Sequence, residues 1–339
     1  MTAKAKKRKY DIFHAKKCDS IEILQFIKEH WSENHIFIKH EGLFTWQHLQ
    51  DETLNFVAAR NIEKDTIDAI LGYISTQQYD IDLKTNDYWG AIWKIKEGTP
   101  PGLGMLLLSY LNNNADNVTY SAIGISEIAK KIYVFLGYNV GHLNHYYFSN
   151  TKIKHLEISE NAKITPYQEK KSNSVFKEIL NLNEKKLEHS YTPGKSIQYL
   201  VNRYQNHPIY KYRFFGVYNN DDLLSIWVIR KQFMNSSSCL RIVDMYGSID
   251  EVENLSLQLQ DLLDKENSEY IDCLNYGISE TKFKALGFEN LDFDSETIIP
   301  NYFEPFVKKN VKIEFAVNTN YDEYIIFKGD SDQDRPSII

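Results

Sequence analysis

The chain has 339 residues, enough for two domains that each bury a core of their own. Hydrophobic residues make up 42% and aromatics 14%, with 23 Tyr and 18 Phe, a globular composition richer in phenolic rings than packing demands. The net charge of −7 argues against a general nucleic-acid binder, because phosphate contacts need a surplus of Lys and Arg.

The basic run from Lys4 to Lys9 reads as a solvated terminus. No apolar run approaches the length that spans a bilayer, and no secretory apolar core follows the basic start. Cys18, Cys239 and Cys273 are far apart and odd in number, which fits neither a disulfide framework nor a zinc spacing. The expectation is a cytoplasmic protein with no metal, no membrane contact and no nucleic-acid partner.

In chain order, Asp19-Ser20 caps a helix that runs to about His30. The stretch from Trp31 to His48 then places Trp31, His35 and Trp46 among Phe and His residues with no clean period. Rings with polar edges suit a sugar or a nucleobase, so Trp31 and Trp46 are candidate substrate contacts; the plainer alternative is that they are core rings and His35 a satisfied core histidine. Phe56 to Ala59, Ala69 to Ser75 and Tyr88 to Ile95 read as an antiparallel meander.

The next stretch organises the chain. After Pro100-Pro101 comes Gly102-Leu103-Gly104, and an apolar helix follows from Leu103 to Leu111 until Asn112-Asn113-Asn114 stops it. Free backbone N–H groups and the positive helix end face one point there, which makes an anion site of Gly102, Leu103, Gly104 and Met105. By itself the glycine pair is equally a tight turn. Val118 to Ile125 reads as a strand, Ser126-Glu127 opens a helix through Leu136, and Val140 to Phe148 reads as one closing strand. His142 and His145, three apart on a strand, face opposite ways, so they do not share a metal.

The order strand, glycine turn, helix, strand and helix, with Thr99 to Gly104 and Tyr133-Val-Phe-Leu-Gly137-Tyr138, resembles the GNAT superfamily of acyl-CoA-dependent N-acyltransferases. Thr99 departs from the Gln or Arg usual in that turn, and Pro100-Pro101 removes two N–H donors. The resemblance implies an α+β fold with a mainly antiparallel sheet, and acyl-CoA as co-substrate. It implies that backbone at Ala91, Ile92 and Trp93 polarises the thioester carbonyl, and that Tyr133 protonates the leaving sulfur. His35 is the first choice for the base, since an imidazole pKa of about 6.5 suits the task; His14, His142, Glu41 and a water chain are alternatives.

Beyond a polar connection over 150–171, the second half repeats the order of the first. Strands at Tyr212 to Tyr218, Leu223 to Lys231 and Leu240 to Met245 precede a helix from Ile249 to Lys265, and Phe283-Lys-Ala-Leu-Gly287-Phe288 matches the Tyr133 run in spacing. Phe283 replaces the phenol and the glycine turn is missing, so only the first half should bind acyl-CoA. The expectation is two tandem GNAT-like domains, residues 1–150 carrying the donor turn and residues 151–339 a degenerate copy that helps form the acceptor site.

This combination resembles tandem GNAT sugar N-acyltransferases of bacterial surface polysaccharides (O-antigen, lipopolysaccharide or capsule), whose acceptors are dTDP- or UDP-linked amino sugars. On that reading Asp334 and Arg335 belong to the acceptor site, Arg203 and Lys211 can meet a diphosphate, and Tyr204, Tyr210 and Tyr212 can stack on a base. Taken alone, Asp330 to Pro336 is a polar terminus without the glycine and glutamate of a calcium loop. The rival readings are a transferase acting on an amino acid, a peptide or aminoacyl-tRNA, and a sensor of CoA or nucleotide sugar that performs no chemistry.

Overall fold

The computed structural model describes residues 8–115, 117–164, 172–189, 191–319 and 324–335. Lys4 to Lys7 of the basic run, residues 165–171 of the polar connection and Pro336 lie outside them.

The first half contains β1 (Tyr10–Lys16), α1 (Ser20–His30), α2 (Ile36–Lys39), α3 (Glu41–His48), β2 (Leu49–Gln50), β3 (Thr53–Asn61) and β4 (Thr66–Ser75). It continues through β5 (Asn86–Ile95), α4 (Leu103–Asn113), β6 (Val118–Ile123), α5 (Glu127–Phe135), β7 (Asn139–His142) and β8 (Asn144–Ser149). In the second half are β9 (Ser174–Ile179), α6 (Ile197–Leu200), β10 (Arg213–Asn219), β11 (Asp222–Met234), β12 (Ser237–Gly247), α7 (Ser256–Glu266), β13 (Tyr270–Tyr276) and α8 (Glu280–Leu286). The last elements are β14 (Glu289–Asn290), the hairpin of β15 (Tyr302–Phe303) and β16 (Phe306–Val307), β17 (Glu314–Val317) and β18 (Ile326–Phe327).

Sequence pattern explains the elements around the fork described below. In α4, Leu103, Leu107, Leu108 and Leu111 are all buried, three or four apart, so one helix face packs on the sheet. The run Ile67 to Ile74 in β4 is buried on both faces because helices cover both sides, and it accordingly lacks alternation. Ser126 caps α5 by accepting from the Ala129 N–H at 3.2 Å. Both α5 and α8 are followed by a left-handed glycine, Gly137 at φ +82° and Gly287 at φ +106°, the backbone trace of the internal repeat.

Two eight-stranded, mixed sheets result, with helices on their faces, an α+β architecture in two tandem copies. The first runs β1-β3-β4-β5-β6-β17-β7 with β2 on β3, and the second runs β14-β8-β13-β12-β11-β10-β9 with β18 on β13. Each sheet holds one parallel pair, β5 with β6 and β12 with β13, and the other pairings are antiparallel.

The sheets exchange strands. The segment expected as one strand, Val140 to Phe148, is two: β7 stays in the first sheet, the chain turns at buried Leu143, and β8 joins the second sheet between β13 and β14. In return β17, from near the C-terminus, lies in the first sheet between β6 and β7. Two other elements differ from the pattern. The helix expected from Ile249 starts at Ser256, because the apolar residues Ile249, Val252 and Leu255 are buried as a loop against the second core. The segment from Trp31 to His48, which shows no period, is two short helices whose Phe44 and His48 rings pack on Phe56, with Phe37 against both.

Because of the exchange, one apolar cluster spans both sheets and contains Trp89 and Ile123 of the first, Val228 and Leu274 of the second, and Phe315 of β17. The Phe315 ring lies against Gly141 of β7 and 4.5 Å from the Tyr276 ring of β13. Replacing Phe315 by Ala should therefore cost about 3–5 kcal/mol and lower a single unfolding transition in calorimetry. Two separated transitions would show that the halves unfold independently.

Candidate active site

The central feature is a fork in the first sheet. β5 and β6 pair from Asn86 with Val118 to Gly90 with Ala122 and no further, although β5 continues to Ile95. At the same point β5 bulges: Tyr73 of β4 faces Gly90 and Gly72 faces Ile92, so Ala91 has no partner on β4. The divergence opens a cavity of about 250 Å³ lined by Gly90, Ala91, Ile92 and Trp93 on one side and by Tyr120, Gly124 and Tyr133 on the other. At its wall the Trp93 indole N–H has no hydrogen-bond partner.

Two phenols meet in this cavity. The Tyr133 and Tyr120 hydroxyls are 3.3 Å apart, and both side chains are buried. Burial pushes both above the usual phenol value, so they are protonated donors throughout the neutral range. Sequence reasoning missed Tyr120. Its signal was the pairing of its strand with Gly90: a Cβ at that glycine would lie 2.3 Å from the Tyr120 hydroxyl.

The two glycines of the turn do different work. Gly102 has φ +95° and precedes α4, a helix with no side-chain cap, and a Cβ there would meet nothing within 4 Å. The Leu106 N–H is the first to close onto the helix, bonding the Gly102 carbonyl at 3.1 Å, which leaves the amides of Leu103, Gly104 and Met105 as first-turn donors. Gly104 is instead a packing position, since a Cβ would lie 2.9 Å from the Trp93 Nε1 and 2.8 Å from the Ile95 Cδ1.

The second sheet has the same fork with a different occupant. β12 and β13 pair only from Leu240–Ile242 to Ile271–Cys273, and Val243 is skipped in the register with β11, as Ala91 is in the first sheet. Here β18 pairs with Asn275 and Tyr276, and the Gly329 N–H donates to the Val243 carbonyl at 2.9 Å. The chain's own C-terminal segment fills the second fork. The second half therefore lacks the glycine turn and has its fork filled as well.

From the second fork the segment runs on to the first. The Ser331 hydroxyl donates to the Gly90 carbonyl at 3.0 Å, and the Gln333 side chain lies against Gly124. On the far side of Gln333 is a polar cavity of about 160 Å³, lined by Tyr210, Arg230, Tyr302, Lys328, Asp332 and Arg335 among others. Gly124 and Gln333 thus form a wall shared by the two cavities.

The expected substrate contacts divide by environment. Trp31, 43% exposed, lines the fork cavity, and Tyr210 and Arg335 line the polar one. Arg203, Tyr204 and Asp334 are framework, because their polar groups are buried and already paired, and the half-buried Trp46 ring packs among them. Arg203 donates to the Tyr79 hydroxyl and to the Gly329 and Ser331 carbonyls, and it lies over the Trp46 ring. Tyr204 donates to Asp244, and Asp334 holds Arg230 and the Tyr212 hydroxyl. Lys211 borders a different, larger depression beside Arg213 and Glu266.

His35 is corrected in the same way. It lines neither cavity, and its Nε2 accepts from the Arg335 guanidinium at 3.0 Å. Burial and that cation depress it to about 4, so it is a neutral acceptor that holds Arg335 rather than a base for a substrate amine. Of the alternatives, His142 is exposed beside Phe293, His14 packs on Tyr110, and Glu41 is exposed at the start of α3. Asp332, to which the sequence assigned no site role, lines the polar cavity together with Glu304; burial raises it while Arg335, 3.0 Å away, lowers it.

Several histidines carry this depression together: burial holds His48 near 3, and His189 and His207 near 3, against an ordinary value of 6.5. Below about 6.5 the unfolded chain binds protons that the folded one refuses, so stability rises with pH across this window. The melting temperature should fall continuously from about pH 6.5 to about pH 4, and His35→Gln should shallow that slope. A flat profile would mean these imidazoles are not buried neutral.

No family model and no curated protein matches the chain. Solved structures do resemble it. A GCN5-related N-acetyltransferase from Anabaena variabilis ATCC 29413 superposes with a TM-score of 0.54 at 10% identity, covering 91% of this chain and 72% of that one. A probable N-acyltransferase from Enterococcus faecalis V583 gives 0.53 at 8% identity, covering 84% and 70%. A GCN5-related glucosamine N-acetyltransferase region of a fungal multi-domain β-N-acetylglucosaminidase gives 0.50 at 9% identity, covering 93% of this chain and 39% of that one.

Proposed function

We propose that the chain is an acyl-CoA-dependent N-acyltransferase, with the donor in the fork of the first sheet and the acceptor amine entering from the polar cavity. The observation that carries this reading is the meeting of the bulged backbone at Ala91 and the Tyr120–Tyr133 hydroxyl pair in one cavity, with the glycine turn of α4 packed through Gly104 on the Trp93 that lines it. Solved structures of this fold, one named as an N-acetyltransferase and one as a probable N-acyltransferase, support it.

The donor diphosphate rests on the first-turn amides of α4, where Gly102 lets it approach the backbone. The thioester carbonyl accepts from backbone at Ala91 to Trp93, which is unpaired with β6 and can stabilise the oxyanion. The amine nitrogen attacks the carbonyl carbon, the C–S bond breaks, and Tyr133 gives its proton to the thiolate, with Tyr120 positioned to replace it. Asp332 takes the proton that the amine loses, since a carboxylate raised by burial is a better base than a solvated one.

For the acceptor we infer an amino sugar linked to a nucleotide, dTDP or UDP. Rings of Tyr210, Tyr302 and Phe303 share the polar cavity with Arg230, Lys328 and Arg335, which suits a sugar or base joined to phosphate. The likeness to a glucosamine N-acetyltransferase region is in keeping with an amino-sugar acceptor.

Free-thiol release from acetyl- or hydroxybutyryl-CoA, in the presence of a panel of dTDP- and UDP-linked amino sugars, tests both levels. Release with one sugar nucleotide and a matching gain in product mass is expected. Release with amino acids or peptides instead would keep the transferase and remove the sugar, whereas binding of CoA without release by any amine would make the protein a sensor. Tyr133→Phe should retain CoA affinity and lower turnover by roughly 10–100-fold; an unchanged rate would remove that phenol from the reaction.

A further inference from the structure

The basic groups of the polar cavity are not equally answered. Arg230 donates through Nη2 and Nε to Asp334 at 2.8 and 3.1 Å, and Arg335 is ion-paired with Asp332 at 3.0 Å, so each guanidinium already has a carboxylate. Lys328 differs. Its side chain is 2% exposed, its Nζ donates to the neutral Asn301 carbonyl at 2.5 Å, and it lies 4.9 Å from the centre of the Tyr302 ring. An ammonium has three N–H donors, and a carbonyl with a ring face does not neutralise its charge. Asn301 itself lines the cavity and is buried, with its Oδ1 lacking a hydrogen-bond partner, so an acceptor awaits a ligand hydroxyl or amine beside the lysine.

We propose that this cavity seats a phosphate ester of the acceptor, with Lys328 as the group that answers its charge and Arg230 and Arg335 flanking it. This rests on the acceptor reading of the cavity given above. A phosphate suits the site better than a carboxylate because its several oxygens can use the lysine, the remaining guanidinium N–H groups and the Gln232 amide together.

The site carries a thermodynamic signature. Burial pushes the Lys328 ammonium well below its ordinary value, and Arg241 on β12 and Arg230 on β11 push the same way, against Asp334 and Asp272. His145 on β8 is held neutral in the same neighbourhood, while Tyr302, Asp332, Glu304 and Arg335 face the cavity from the hairpin and the C-terminal segment. A phosphate at Nζ reverses that balance and raises the lysine. Anion binding then takes up a proton at any pH between the two values.

The test is calorimetric titration of the full chain with inorganic pyrophosphate, in paired buffers of different ionisation enthalpy, from about pH 6.5 to about pH 10. Binding with an uptake that rises towards about one proton per site is expected. Lys328→Met should abolish the uptake and weaken binding at least about tenfold, whereas Lys328→Arg should bind without uptake because guanidinium stays charged. No pyrophosphate binding, or binding with no proton exchange at any pH, overturns the proposal, and the wild-type titration decides this even where a variant fails to fold. A parallel titration with acetyl-CoA separates the two readings. CoA binding without pyrophosphate binding leaves the donor site standing and overturns this one; proton-linked pyrophosphate binding without CoA binding upholds the anion site and removes the transferase.

Discussion

The C-terminal segment, fastened between the two sheets, is the constraint on which the rest of the molecule depends. Its hold is ionic as well as apolar: the buried Lys195 Nζ lies 2.5 Å from an Asp244 oxygen and 2.6 Å from an Asp330 oxygen. Tyr204 completes Asp244, and the Phe327 N–H completes Asp330. Charges this deep are tolerable only as a set, because removing one member strands the others in a medium that cannot solvate them. Arg203 extends the grip by binding the Gly329 and Ser331 carbonyls, which fixes the direction in which the chain leaves the second fork. That direction carries Ser331 to Gly90 and Gln333 to Gly124, and so builds one wall of each cavity.

The two halves show how one backbone device serves two ends. A parallel pair that ends early, beside a strand with one unpartnered residue, makes a gap that some polar chain must fill, since open backbone N–H and C=O groups in a protein interior are costly. In the second half the filler is covalent and permanent: β18 pairs with β13, and Gly329 takes the carbonyl of Val243. In the first half the gap remains a cavity with two phenols and an indole N–H at its wall. In the second half an extended segment of the same chain hydrogen-bonds the bulge, through Gly329 to Val243.

Strand exchange ties this arrangement to folding. The first sheet is incomplete until residues near position 315 arrive, and the second needs β8 from before position 150. Contacts of such sequence separation are expensive in loop entropy and slow to form. They also place Phe315, Leu143 and Tyr324 in a core common to both halves, so the cavities between them keep their geometry.

The sequence by itself determined the local units, including those that flank the fork of the first sheet. Leucines recurring in α4, the capping Ser126, and left-handed Gly137 and Gly287 are decided within a few residues, as is the turn at Gly102, and these were legible. Tyr133 was legible for the same reason, through its spacing from Gly137. Only the tertiary structure decided which sheet β8 and β17 join, because an apolar strand satisfies either edge equally well. It also decided the roles of the polar residues: Arg203, Asp334 and His35 carry chemistry suited to a ligand, yet burial brought each a partner from a distant part of the chain and spent its hydrogen bonds there. Tyr120, Lys328 and Asp332, to which the sequence assigned no role, line the cavities because the fork and the C-terminal segment meet around them.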